Sequence, residues 1–229
     1  MLTLSKLEEE ILKEIDLLKN YPKTKRDISA RGKTKTEEDR ALARKFGEAF
    51  FDGDRSHGYG GFNYHPRFWE NVIPDFQKHW DLKSNDKVLD VGCAKGFMMF
   101  DMHRLIPGIY TEGVDISEYA IQNAKEEVKD FCHVGNASSL DYEDNSFDVC
   151  ISITTLHNLE GNELIKSIKE VERISSRGSF ITVDAYRNDE EKEAMFNWNL
   201  TAKTILHVDE WKELFNDVGY TGDYYWFMP

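Results

Sequence analysis

Lys87-Val88-Leu89-Asp90-Val91-Gly92-Cys93-Ala94-Lys95-Gly96-Phe97 decides the fold. A run of strand-forming residues ends in an acid, a glycine-bounded turn follows, and Phe97, Met98, Phe100 and Met102 resume an apolar pattern at helical spacing. That order is the head of a strand-turn-helix unit in a parallel sheet. Glycine in such a turn admits left-handed backbone and lets a ligand reach the main chain without meeting a Cβ. Counted from Gly92, the G-x-G-x-x-G spacing of a dinucleotide site fails at Ala94 and Phe97, and the P-loop pattern fails because Phe97 follows Gly96. Asp90 separates the remaining ligands: an acid before the turn repels a phosphate and suits a cationic, hydrogen-bond-donating group.

Outward from this stretch, 229 residues suffice for one α/β domain with an appendage. A net charge of −13 disfavours a protein that holds nucleic acid by neutralising phosphates, and favours a small-molecule substrate. Cys93, Cys132 and Cys150 have no C-x-x-C spacing and read as small buried hydrophobes in a reducing compartment, without disulfide or zinc. No apolar segment approaches bilayer-spanning length and the N-terminus lacks an apolar leader, so the expected location is cytoplasmic.

Upstream, Leu4, Leu7, Ile11, Ile15 and Leu18 form an apolar stripe that predicts an amphipathic helix, either docked on its own domain or forming a homodimer contact. Six cations between Lys23 and Lys35 read as a solvated linker or as an arm for an anionic substrate. A helix is expected over 36–50, with Glu37 and Glu38 in its first turn. The stretch 51–65 mixes glycines, aromatics and His57, Tyr59, Tyr64 and His65, the composition of a lid over a ligand or of a structural Gly-aromatic turn. Its Asp52-x-Asp54 pair lacks the glycine and closing glutamate of an EF-hand, so no metal is expected. Pro66–Trp80 is helical by period, with a kink or restart at Pro74.

Downstream, strands are expected at 110–115, 131–134, 146–153, 179–183 and 224–227, with helices between them. Asp115, at the tip of the second strand when 87–91 is counted as the first, suits the hydroxyls of a ribose or caps the following helix. Ser117 is placed to cap a helix running through Val128. The polar, aromatic stretch 185–206, with Tyr186, is placed to cover substrate.

Asp90-Val91-Gly92-Cys93-Ala94-Lys95-Gly96 resembles motif I of the class I S-adenosylmethionine-dependent methyltransferases, with alanine for the middle glycine. Ser146-Phe147-Asp148-Val149-Cys150-Ile151-Ser152 resembles the family's fourth-strand motif, Gly135-Asn136-Ala137 its Gly-Asp-Ala with Asn136 for the acid, and 172–178 its arginine corner without the proline. The resemblance spans about residues 85–184, and 51–65 is similar to a segment of methyltransferases of bacterial surface-glycan biosynthesis. It implies a Rossmann-like, doubly wound, mostly parallel sheet of six or seven strands, where the family usually closes with a C-terminal hairpin. A helical cap over 1–65 would precede a methyltransferase domain over 66–229. It also implies S-adenosylmethionine contacts at Asp90, Gly92, Cys93, Gly96, Asp115, Ile116, Asn136, Ala137, Ser152 and Tyr59, with His57, Tyr64, His65 and Tyr186 on the substrate side.

Methyl transfer from an activated sulfonium is mostly alignment, but a hydroxyl nucleophile also needs a base. His157, just past the fourth strand, is the candidate, with Asp184 as its partner; sugar O-methyltransferases of this fold include members with such a pair. A helix-capping histidine is the bland alternative. The family's metal-dependent members show Asp-Asn after the fifth strand, which Asp184-Ala185 does not. The expected activity is O-methylation of a small polar acceptor, such as a sugar or phosphorylated precursor of a surface polysaccharide. An amine N-methyltransferase, a non-catalytic S-adenosylmethionine-binding module and a nicotinamide oxidoreductase are the rivals.

Overall fold

In the computed structural model, which describes residues 13–23 and 35–228, the chain opens with a two-residue strand, β1 (Lys13–Glu14). Two short helices follow, α1 (Glu37–Ala43) and α2 (Glu48–Phe51), then a 3-10 turn at Pro66–Phe68 and α3 (Ile73–Trp80). Strand and helix next alternate: β2 (Lys87–Val91), α4 (Phe97–Leu105), β3 (Tyr110–Asp115), α5 (Glu118–Gln122) and β4 (Cys132–Val134). After β5 (Phe147–Ile153) come α6 (Gly161–Ile174) and β6 (Ser175–Tyr186). The last elements are α7 (Asp189–Trp198), β7 (Leu206–His207), α8 (Val208–Val218) and β8 (Asp223–Phe227).

The main sheet runs β1-β8-β6-β5-β2-β3-β4, with β7 paired to β6 beside that path. Every strand pairing among the described residues is parallel. A parallel neighbour needs a crossover, and α8 returns the chain to the same end of the sheet before β8 starts, so no C-terminal hairpin forms. Consecutive strand residues point to opposite faces, which is why near-continuous apolar runs are needed. Val88, Val149 and Phe180 enter the core beneath α3 and α4, whereas Leu89, Cys150 and Ile181 enter the core beneath α6 and α8.

From β2 the chain winds to β3 and β4 on one side, then crosses back to lay β5 against the other side of β2. The carboxyl ends of β2 and β5 therefore border a topological switch point, where open α/β sheets bind ligands. All three cysteines are buried and free, and no helix among the described residues is long and apolar enough to cross a membrane.

Four local expectations change. The predicted N-terminal helix is a strand at Lys13–Glu14, because the open edge of β8 offers it partners at Asp223 and Tyr224. Ile15, Leu17 and Leu18 then pack against the α3 side of the core, which removes Ile15 and Leu18 from any dimer stripe; the earlier positions lie outside the described residues. The helix expected over 36–50 breaks at Phe46, whose φ is 49°, and Gly47. The helix after Ser117 ends at Gln122, although Ala124 and Val128 still reach the core. β6 runs on to Tyr186, so Asp184 lies inside a strand, not at its tip. Pro74 restarts a helix, as its position suggested.

Arg173, near the end of α6, binds the loop before β5. Its guanidinium donates to the Tyr142 carbonyl at 2.7 Å, the Leu140 carbonyl at 3.2 Å and the Glu170 carboxylate at 2.8 Å. Arg173→Met is expected to lower stability by about 2 kcal/mol through stranded carbonyls. A urea midpoint equal to that of wild type would refute this.

Candidate functional site

The turn between β2 and α4 is held from below by β3. The N–H groups of Gly92 and Cys93 both donate to the Val114 carbonyl, at 2.7 and 3.2 Å, and Ala94 N–H donates to Asp115 Oδ2 at 2.8 Å. Three residues take positive φ: Gly92 at 90°, Ala94 at 49° and Gly96 at 71°. A Cβ on Gly92 would lie 2.0 Å from Thr155 Oγ1, so this glycine is demanded by both conformation and space.

Two acids flank the turn, Asp90 buried and Asp115 half-buried. Asp90 is pushed up to about 8, by burial first and by the neighbouring charge of Asp115 second. Burial also raises Asp115, opposed by the N–H groups of Ser117 and Ala94 that bond its two oxygens. Just beyond, Ile116 is 56% exposed and Val134 52% exposed, two apolar side chains at the carboxyl ends of adjacent strands. A cavity of about 470 Å³ opens beside Ile116 and Ser117, lined also by Lys45, Phe46, Tyr119 and Gln122.

Other expected contacts are taken up by the fold. Ser152 Oγ is buried and donates to the Val91 carbonyl at 3.0 Å, a bond between β5 and β2. Asn136 Oδ1 accepts from the N–H and hydroxyl of Ser138, closing a local turn, and Ala137 packs on the core. The Cys93 thiol is held well above its usual range, first by a hydrogen bond with Cys132 and then by burial, so it stays protonated.

The segment 46–64 lies on the turn as an aromatic layer. Phe62 stacks on Phe97 with ring centres 5.0 Å apart, and Tyr59, 46% exposed, packs on Phe62 at 4.5 Å. Asp52 joins the layer to the turn: it accepts from Lys95 Nζ at 2.6 Å and from the Tyr119 hydroxyl at 2.7 Å. Tyr64 donates to the buried Asp101 at 2.8 Å, and its phenol is pushed up to about 12 by burial and that carboxylate. His57 pairs with Asp39 at 3.0 Å, and His65 Nδ1 caps a 3-10 turn by accepting the Arg67 N–H. Tyr186 packs against His207 and Lys192, away from these groups. The cap also grips the C-terminal half: Lys35 donates to the Trp198 carbonyl, Arg40 to that of Asn199 and Arg44 to that of Thr201.

His157 and Asp184 do meet, the ring lying closer to the main chain of Asp184 than to its carboxylate. His157 Nδ1 accepts the backbone N–H of Asp184 at 2.9 Å, with the carboxylate farther off at 3.4 Å. Burial lowers the imidazole pKa against the opposing pull of Asp184, so the ring is neutral near pH 7. With Nδ1 accepting, its proton sits on Nε2, the reverse of the tautomer a triad base needs.

Sequence reading missed the Asp52–Lys95–Tyr119 cluster. Its one visible signal was a lysine inside the glycine turn, and nothing local pointed to the acid 43 positions earlier.

A family model described as methyltransferase domain matches residues 82–219, from just before β2 to the glycine that ends α8. An uncharacterized protein of Haemophilus influenzae is 29% identical over 147 residues, 58% of this chain and 58% of its own length. The ribosomal protein L11 methyltransferase of Thermotoga neapolitana is 30% identical over 148 residues, 61% of this chain and 53% of its own. The chain thus spans a little over half the length of these curated relatives. A putative methyltransferase from Bacillus halodurans superposes with a TM-score of 0.51 at 14% identity, over 64% of this chain and 68% of that one, a likeness of fold. Since the match covers more than half of the chain and takes in the turn, both acids and the strands that carry them, the chain belongs to the methyltransferase domain family.

Proposed function

We propose that this protein transfers a methyl group from S-adenosylmethionine to a small polar acceptor. The observation that carries the donor half is the pair of acids, buried Asp90 and half-buried Asp115, on neighbouring strand ends around a glycine turn. The residues fit that donor: a cation placed beside Asp90 would favour its ionised form, and Asp115 keeps lone pairs for ribose hydroxyls beyond its two backbone bonds. Exposed Ile116 and Val134 offer apolar surface to a flat base, and Gly92 and Ala94 are the half-buried residues of the turn. When bound, the donor supplies an already activated methyl group. The protein's own work is binding, alignment and exclusion of water by the 46–64 layer. Free, buried cysteines accord with a reducing cytoplasm.

For the acceptor, a hydroxyl of a sugar or phosphorylated glycan precursor remains the first class to test. Of the cationic segment that motivated an anionic acceptor, positions 24–34 lie outside the described residues, and Lys35 holds a carbonyl of α7. One observation favours a second reading, an amine acceptor: the His157 ring as placed is a donor at Nε2, and a neutral amine needs no base. The net charge of −13 also suits a cationic acceptor, and one relative is named for methylating a ribosomal protein.

Calorimetry with S-adenosylmethionine, S-adenosylhomocysteine and NADH tests the donor half; binding of NADH alone would overturn it. Labelled donor offered with phosphosugars, nucleotide sugars, polyamines and basic peptides, followed by mass spectrometry, identifies the acceptor. His157→Ala separates the two readings. A hydroxyl acceptor predicts a fall in kcat of tenfold or more, whereas an amine acceptor predicts turnover within a few-fold of wild type.

A further inference from the structure

Asp52 lies outside the matched residues 82–219, yet its carboxylate is where the cap and the glycine turn are joined. Oδ1 accepts the Phe62 N–H at 3.0 Å, and Oδ2 accepts both Lys95 Nζ at 2.6 Å and the Tyr119 hydroxyl at 2.7 Å. Lys95 Nζ also donates to the Phe62 carbonyl at 3.0 Å, so acid and ammonium grip the same residue of the aromatic layer from both sides. Lys95 is only 6% exposed. A buried ammonium without its carboxylate would be unstable, which makes the pair act as one unit.

The clamp closes on a strained piece of backbone. Ala94 stands where the family's motif has glycine, and it adopts φ 49°, a left-handed conformation that disfavours any Cβ. Such a residue persists only where its surroundings over-determine it. On one side, the Ala94 N–H is tied to Asp115. On the other, the Lys95 carbonyl accepts the Lys125 N–H at 3.0 Å and the Lys95 side chain is held by Asp52.

We infer that Asp52 is a positioning residue for the methyl donor: through Lys95 it holds Ala94 in the left-handed conformation that gives the glycine turn its ligand-binding shape. This rests on the reading of that turn as the donor site. The cap is then part of the donor site and not only its cover, and donor affinity depends on a residue outside the family domain.

The test is calorimetry of the full chain with S-adenosylhomocysteine, with urea midpoints measured on the same samples. No binding by the wild type would overturn the functional reading, and this inference with it. Given wild-type binding, Asp52→Asn and Lys95→Met are each expected to weaken affinity tenfold or more, and the double variant is expected to be no weaker than the weaker single. Ala94→Gly added to Asp52→Asn is expected to recover part of the loss, because glycine takes the left-handed conformation without the clamp. A pair that merely stabilised the fold would not respond in that way. Wild-type affinity in both single variants, or no recovery with Ala94→Gly, overturns the inference. Should Asp52→Asn fail to fold, Lys95→Met, which removes the buried charge altogether, carries the same comparison with and without Ala94→Gly.

Discussion

Asp90→Asn is expected to stabilise the ligand-free protein at pH 9 by several kcal/mol while weakening S-adenosylmethionine binding by about 100-fold. The unfolded Asp90 titrates near 4, whereas in the fold burial and Asp115 raise it to about 8. Below the lower value both states are protonated and the side chain adds no pH dependence. Between the two, the unfolded chain has released a proton that the folded chain keeps, so each unit of rising pH costs the fold about 1.4 kcal/mol from this group. Above pH 8 both states are ionised and the penalty is complete. Asparagine cannot ionise and escapes it, so wild type and variant should converge near pH 4 and separate progressively to pH 9. The groups that face Asp90 are Asp115 on β3, Cys93 in the turn and Cys150 on β5; both thiols are themselves raised, so neither offers a compensating charge. Urea unfolding at pH 4, 7 and 9 reads the first effect and calorimetry the second. A variant less stable than wild type at pH 9, or one that binds the donor equally well, would contradict the account.

Gly92→Ala should be worse on both counts. The added methyl would sit 2.0 Å from Thr155 Oγ1 and 2.5 Å from its Cγ2, and the residue would have to hold φ 90° with a Cβ. Strain in left-handed backbone and forced displacement of the loop after β5 together predict a loss of about 2–5 kcal/mol. Because Gly92 N–H also anchors the turn to Val114, the turn should shift and donor binding should fall below detection by calorimetry. Thr155→Ala in the Gly92→Ala background removes the two nearest clashing atoms but keeps a Cβ 2.7 Å away, so it should return part of the stability but little of the binding, since the strained φ remains. Full recovery of both would show that space alone, and not conformation, requires glycine there.

The frame of the candidate site was legible in the sequence where structure is local. Asp90, Gly92 and Gly96 announced themselves because strand, acid and turn follow one another within a few residues, and α6 because Leu164, Ile168 and Val171 repeat at helical spacing. Where a side chain's surroundings depend on a distant partner, the local pattern does not carry them. Ser152 is expected at the cofactor, and its bond to the Val91 carbonyl on the next strand shows only in the fold. His157 looked like a base, but a backbone N–H 27 residues later determines which nitrogen holds its proton. Ile15 and Leu18 fitted a helical stripe, but the unpaired edge of β8 drew Lys13 and Glu14 into a strand.

Residue order alone was enough for the alternation of strand and helix, the two-faced apolar strands and the acid-glycine corner, because these follow from backbone sterics and periodicity acting over one or two turns of chain. Which polar groups that corner keeps for a ligand came from the folded chain. Burial and long-range hydrogen bonds allot donors and acceptors, and Asp52 reaching Lys95 across 43 positions is an allotment that no local pattern encodes.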